Sequence, residues 1–167
     1  MKNIVYVVEG ETEVRLIEVL KTEMHFIYAG KVLKHNVVQD IIKKVRFLSY
    51  NKNTLFVLIF DTDTDGVEVL QENIKILSRL PNASGVLTIP QVKNLEDELC
   101  YSCGIKDIRM LTTSKSVSDF KRDFLKMRNL KVRLQEVGFE RTLLWSRSPR
   151  GEFAAIKNCA SKIKLKN

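Results

Sequence analysis

An α/β fold, with a mainly parallel Rossmann-like sheet and helices on both faces, follows from three observations on the sequence. Short apolar runs alternate with helical patterns along residues 1–113, the arrangement of successive βαβ units. Two of these runs, NIVYVVE at 3–9 and LFVLIF at 55–60, are apolar almost throughout and lead to a carboxylate, Glu9 and Asp61. Runs without polar alternation read as strands buried on both faces. Finally, acidic side chains gather at those two ends while the rest of the chain is basic.

Taken in order, residues 3–9 form the first strand, and Gly10 leads into a helix capped by Thr12, with Val14, Leu16, Ile17 and Leu20 inward. Glu11 and Glu13 fall in its first turn, where the helix dipole favours them. Residues 25–33 read as a short strand with a turn at Gly30. Asn36 then caps a helix to about Ser49, with Val37, Ile41, Val45 and Leu48 at buried spacing and Lys43, Lys44 and Arg46 on the other face. That face is a solvated basic surface and a candidate for phosphate contact. The central strand over 55–60 follows the turn YNKN. A helix over 67–80 stops at Pro81, and GVLTIP at 85–90 is the next strand. Asn94 caps a helix that opens with Glu96, Asp97 and Glu98, and residues 108–113 are a further strand candidate. Beyond Ser114 the pattern becomes helical: 117–127, 132–137, and a last helix over 152–165 after the turn SRSPRG. Residues 1–113 thus read as an α/β domain, and 114–167 as a basic, mostly helical extension packed on it.

No apolar run approaches the roughly 20 residues of a membrane span. The N-terminal stretch MKNIVYVVEG lacks a small-residue cleavage site and turns acidic at once, so a cytoplasmic protein is expected. Cys100 and Cys103 form a CxxC without a second pair or nearby histidine. With Cys159 they read as buried thiols rather than a zinc site. The net charge of +8 is unevenly spread. Residues 1–110 carry 14 basic and 15 acidic side chains, and residues 111–167 carry 14 basic and 5 acidic. An acidic focus in a basic body suits a metal-dependent enzyme acting on nucleic acid. The basic surface holds the polyanion, and the acids hold a cation at the scissile phosphate.

Asp61, Asp63 and Asp65 cluster at the tip of a buried strand, where like charges repel. A hard divalent cation with oxygen ligands relieves that repulsion. Glu9 ends the other apolar strand, and carboxyl ends of strands are where open α/β sheets place their sites. If the two strands are neighbours, about 4.8 Å apart, Glu9 and Asp61 can share one ion.

The pairing of VVEGETE after one strand with IFDTDTDG after a later one resembles the TOPRIM domain. That family includes topoisomerases, bacterial-type primases, OLD-family nucleases and small RNA-maturation nucleases. Its signature is a Glu after the first strand and DxDxxG after a later strand, on a Rossmann-like core. Glu9 with Gly10 matches the first part, and Asp61, Asp63 and Gly66 match the second in spacing, so the likeness covers roughly residues 3–113. It implies a Mg²⁺ (or Mn²⁺) site made by Glu9, Asp61 and Asp63, with Asp65 beside them and Glu9 as metal ligand or general base. OLD-like members add a further acid and a lysine after the DxD strand. Glu96, Asp97 or Glu98, and Lys115, are the placements available here. The chain is too short for the tyrosine-bearing domain of a topoisomerase, and its cysteines make no primase zinc module. What remains is a compact nuclease acting on DNA or RNA, with Lys43, Lys44, Lys115, Arg147 and Arg150 as phosphate contacts. Small stand-alone OLD-like members work with an ATPase partner in phage defence, and the resemblance brings that expectation with it.

Three other readings stand beside it. Asp61, Asp63, Asp65, Gly66 and Glu72 fit the spacing of an EF-hand calcium loop, but that loop needs a helix before it and an apolar residue where Glu68 stands. A phosphoacceptor domain also has acids at strand ends, though its first strand ends in paired acids and its acceptor strand in a single Asp. The third reading keeps the fold without catalysis, as a module that binds nucleic acid or docks a partner.

Overall fold

The computed structural model describes residues 3–166. Four strands form one all-parallel sheet in the order β2-β1-β3-β4. They are β1 (Asn3–Val8), β2 (Lys31–Lys34), β3 (Thr54–Asp61) and β4 (Ala83–Gln91). The helices are α1 (Glu11–Glu18), α2 (Lys44–Leu48), α3 (Glu68–Ser78), α4 (Leu95–Cys103), α5 (Arg109–Thr112), α6 (Phe120–Lys126) and α7 (Leu130–Glu136). A π-helical turn, Val19–Glu23, extends α1, and 3₁₀ turns occupy Val117–Asp119, Gly151–Ala155 and Ala160–Lys162.

The period of two in β1 and β3 divides the core into two layers. Tyr6, Val8, Val57 and Ile59 face α1, α4, α5, α6 and α7. Val5, Val7, Phe56, Leu58 and Phe60 face α2 and α3. Both faces are therefore covered, as a parallel sheet requires. Residues after Ser114 belong to the first layer: Phe120, Phe124, Leu130, Leu134, Leu144, Trp145 and Ile163 share one cluster with β1 and α1. Phe153 crosses to the second layer and packs on Phe60, ring centres 6.1 Å apart.

Several local expectations are corrected. Gly10, not Thr12, holds the N-cap of α1; Glu13 accepts from the Gly10 amide at 3.1 Å and from the Thr12 hydroxyl at 3.1 Å. Asn36 does cap a turn, accepting from the amides of Val38 and Gln39 at 3.1 Å each, but the expected helix to Ser49 is confined to α2. Its backbone is diverted by buried Asn73 on α3. The Asn73 carboxamide accepts from Ile42 N and donates to Val37 O and Asp40 O, each at 2.8 Å. As a result Ile41, Val45 and Leu48 are exposed rather than buried. Residues 108–113 are not a strand but α5, whose first turn is fixed by Arg109 N donating to Asp107 Oδ1 at 2.8 Å. The outer edge of β4 is instead occupied by the C-terminal segment, where Cys159 N donates to Thr88 O at 2.8 Å and Thr88 Oγ1 to Lys157 O at 2.6 Å. That pairing, with Asn158 donating to Trp145 O and Arg147 O at 2.9 Å each, takes the backbone away from the helix expected over 152–165. Of the strand expected over 25–33, only Lys31–Lys34 pairs with β1, preceded by a bridge from Ile27 to Lys164.

Asn73→Ala leaves Ile42 N and Val37 O buried without partners, while Asp40 O keeps His35 Nε2. A loss of roughly 2–3 kcal/mol in unfolding free energy is expected, measured by urea denaturation.

Candidate functional site

Because β1 and β3 are apolar and buried to their last turns, Val8 at 0 % and Phe60 at 1 % exposure, their first polar side chains fall at the sheet's carboxyl edge. The two strands pair directly, Val7 opposite Leu58, so Glu9 and Asp61 come out side by side. They line one cleft of about 350 Å³ together with Glu13, Asn36 and Lys121.

Each acid is held by a carboxamide from the neighbouring outer strand. Asn36, just beyond β2, donates Nδ2 to Glu9 Oε1 at 2.9 Å. Gln91 ends β4 opposite Asp61 in the strand register. It donates Nε2 to Asp61 Oδ1 at 2.6 Å. Gln91 is fully buried, and its own Oε1 accepts from Trp145 Nε1 at 3.2 Å. Trp145 thereby fixes which end of the carboxamide faces Asp61.

Two carboxyls confined this way resist ionisation together. Burial first, then the charges of Glu9 and Glu13, push Asp61 up from 3.8 to about 8, against the opposing hydrogen bond from Gln91. Burial and Glu13 also raise Glu9, while the Asp61 backbone and Lys121 act the other way. Glu13 has a structural role as the capping acid of α1, yet its charge bears on both acids.

The other expected site residues lie outside this cleft. Asp63 is exposed and accepts from Asn94 Nδ2 at 3.3 Å, although its charge still contributes to raising Glu9 and Asp61. Asp65 is exposed at the loop tip. The loop turns at Gly66, φ +87°, whose amide donates to Glu152 Oε2 at 2.5 Å. Among the described residues no group of three or more His, Cys, Asp or Glu side chains is gathered closely enough to hold a metal ion.

Glu96, Asp97 and Glu98 serve the corner between β4 and α4. Glu98 is fully buried, accepting from Val92 N at 2.8 Å and Trp145 N at 3.2 Å. Asp97 lies 2.9 Å from Arg147, and Glu96 3.7 Å from Lys121. Arg147 is turned inward to Asp97 and Glu98 and stacks over Tyr101 at 4.3 Å. Arg150 is exposed beside the turn Gly151–Ala155, and Lys43 and Lys44 are exposed at the start of α2.

Lys115 is exposed and does not line the cleft; the cation that does is Lys121, from α6. Sequence reasoning missed Lys121, Gln91 and Trp145. The available signals were a lone polar residue closing the strand GVLTIPQ and the i, i+4 pair Lys121–Leu125, which lies off the buried face of α6 and lines the cleft. Residues 55–60 are strand, not the helix that an EF-hand needs before its loop.

No protein-family model, curated protein or solved structure matches the chain.

The Asp61 shift has a pH consequence. Unfolded, the group releases its proton near 3.8; folded, it does so near 8. Across that window the folded chain holds the extra proton, so stability falls as pH rises and levels off above about 8. Asp61→Asn keeps the acceptor for Gln91 and removes the charge. In metal-free buffer at pH 8 it should be more stable than the parent by at least about 1 kcal/mol, and its pH profile should be flatter. Denaturation midpoints from pH 4 to 9 check this.

Proposed function

We propose that this protein is a Mg²⁺-dependent nuclease that hydrolyses phosphodiester bonds of DNA or RNA. The observation that carries the reading is the adjacency of Glu9 and Asp61 at the ends of two neighbouring parallel strands, in one cleft with Lys121. The donor set fits a hard cation: the acids are oxygen donors, and the repulsion that lifts Asp61 is what a bound cation removes. Glu9 and Asp61 would hold it, with Asp63 joining from the loop above. When bound, such an ion polarises the phosphate and stabilises charge on the attacking and leaving oxygens.

The chain's own residues do the rest. Gln91 holds one Asp61 oxygen, and the other would serve as the metal donor. Asn36 does the same for Glu9, which serves as metal ligand or general base. Lys121 supports negative charge on the phosphate from across the cleft. The surplus of basic side chains over residues 111–167 holds the polyanion. Location in the cytoplasm belongs to the same proposal, as does activation by an ATPase partner, which rests on the family likeness alone.

A second reading, a nucleic-acid-binding module without turnover, is favoured by one observation: among the described residues no three acids lie closely enough to hold a metal ion. Cleavage assays separate the two. With labelled DNA and RNA and Mg²⁺ or Mn²⁺, the parent should cleave, and Glu9→Ala or Asp61→Ala should lose about a hundredfold or more. Lys121→Ala should lose roughly tenfold, and Lys115→Ala should match the parent. Parent-like cleavage by Glu9→Ala and Asp61→Ala sinks the nuclease site. Binding of nucleic acid without cleavage supports the second reading.

A further inference from the structure

Beside the acidic cleft lies a second hollow, about 370 Å³, lined by His35, Asp40, Ile41, Lys43, Arg46 and Phe47. Its position follows from the strand order. His35 is the first residue after β2, and its amide donates to Val8 O at 2.8 Å, extending the pairing with β1. The next residue, Asn36, lines the acidic cleft and holds Glu9. The two hollows thus meet at consecutive residues, about one strand spacing, ~4.8 Å, from the Glu9 strand.

The chemistry of the second hollow differs from the first. Lys43 and Arg46 are exposed. Among the described residues no carboxylate lies within ion-pairing distance of either. By contrast, Arg122, Arg133 and Arg147 each sit 2.9–3.1 Å from an acid. Arg46 spends one N–H on Lys34 O at 3.3 Å. The single acid, Asp40, is exposed, and its main-chain carbonyl is bonded to His35 Nε2 at 2.9 Å and to Asn73 Nδ2 at 2.8 Å. Ile41, half exposed, adds an apolar wall beside the cations. Asn73 clamps residues 37, 40 and 42 from beneath, so the loop that leads into Lys43 is preorganised.

We propose that this hollow binds phosphates flanking the scissile one, in a polynucleotide strand running from the acidic cleft over the edge of β2. The proposal rests on the nuclease reading and deepens it. Uncommitted cations supply the phosphate contacts. The exposed aliphatic wall accepts a sugar or base edge, which a free inorganic anion does not offer. His35, at the junction, follows the strand from one hollow to the other.

The test compares two double charge reversals with equal change in net charge. Lys43→Glu/Arg46→Glu alters the hollow. Arg79→Glu/Lys106→Glu alters exposed cations after the C-terminal ends of α3 and α4, at the opposite edge of the sheet. Binding of a fluorescein-labelled 15-nucleotide strand, as DNA and as RNA, is followed by anisotropy in Ca²⁺ over a range of salt. The hollow variant should lose at least roughly tenfold in affinity, and its dependence of log K on log salt should flatten by about 2, one for each phosphate contact removed. The opposite-edge variant should stay within about threefold of the parent. Matching losses in the two variants would show a general charge effect and overturn the proposal. Parent-like binding by the hollow variant would also overturn it, and would leave the hollow to an acidic protein partner. Competition by inorganic phosphate as effective as that by unlabelled strand would make it a free-anion site, again against the proposal. If the parent neither binds nor cleaves any strand, the nuclease reading falls and takes the proposal with it. If the parent binds and cleaves while the hollow variant behaves like the opposite-edge one, the proposal alone falls.

Discussion

Two neighbouring parallel strands with apolar side chains on both faces have nowhere to place a carboxylate except at their ends. That constraint governs the carboxyl edge of this sheet. Tyr6, Val8, Val57 and Ile59 are committed to one layer, and Val5, Val7, Phe56 and Phe60 to the other. The pairing of β1 with β3 then brings Glu9 and Asp61 together at the same edge. Burial that stabilises the sheet also strips water from the two acids, and their repulsion follows directly.

The rest of the site is an answer to that repulsion. Asn36 and Gln91 come from the two outer strands and fix each acid from its far side. Gln91 is itself oriented by Trp145, whose amide binds Glu98, which is paired with Arg147. The support therefore runs through residues beyond 114. The composition shift near residue 113 marks a change in charge, while the packing is continuous: Trp145 and Leu144 share a cluster with β1. Glu152 carries the same dependence to the loop, since it accepts from Gly66. An extension that supplies the lysine of the cleft and orients its buried acid is part of the site's construction.

How much of this could be read in advance differs by residue. The two apolar strands, read as 3–9 and 55–60, the parallel sheet and the acids at the strand tips were legible because burial on two faces imposes an uninterrupted apolar run. Asn94 was legible as a cap because its side chain acts locally, accepting from Asp97 N at 3.0 Å. Asn73 was not: it sits in an amphipathic helix and looks like surface, but it is fully buried and rearranges a loop 31 residues away in sequence. Gln91, Trp145 and Arg147 failed for the same reason. Their roles are set by side-chain contacts across the fold, and no local period encodes those. Residues 108–113 show the converse error: an apolar run too short to decide between strand and helix, resolved by the Asp107 hydrogen bond and by a β4 edge already taken.

The substitution of Lys121 for Lys115 as the cleft's cation follows from the same distinction. Lys115 stands in a polar stretch, TTSKS, where the family likeness asks for a lysine, but it projects from the segment before α6 and is exposed. Lys121 follows Phe120, and Phe120 and Phe124 anchor α6 in the core layer that also holds α1. The helix then presents Lys121 and Leu125 to the mouth of the Glu9 cleft. Lys121 opposes the rise of Glu9, and Gln91 opposes that of Asp61. Both therefore favour the ionised acids, while burial and mutual repulsion favour a proton. The same crowding that makes Asp61 a poor carboxylate is what the proposed cation would relieve. A proton and a divalent ion are alternative ways to relieve one repulsion. Gln91 weakens the hold of a proton on Asp61, and Lys121 weakens it on Glu9.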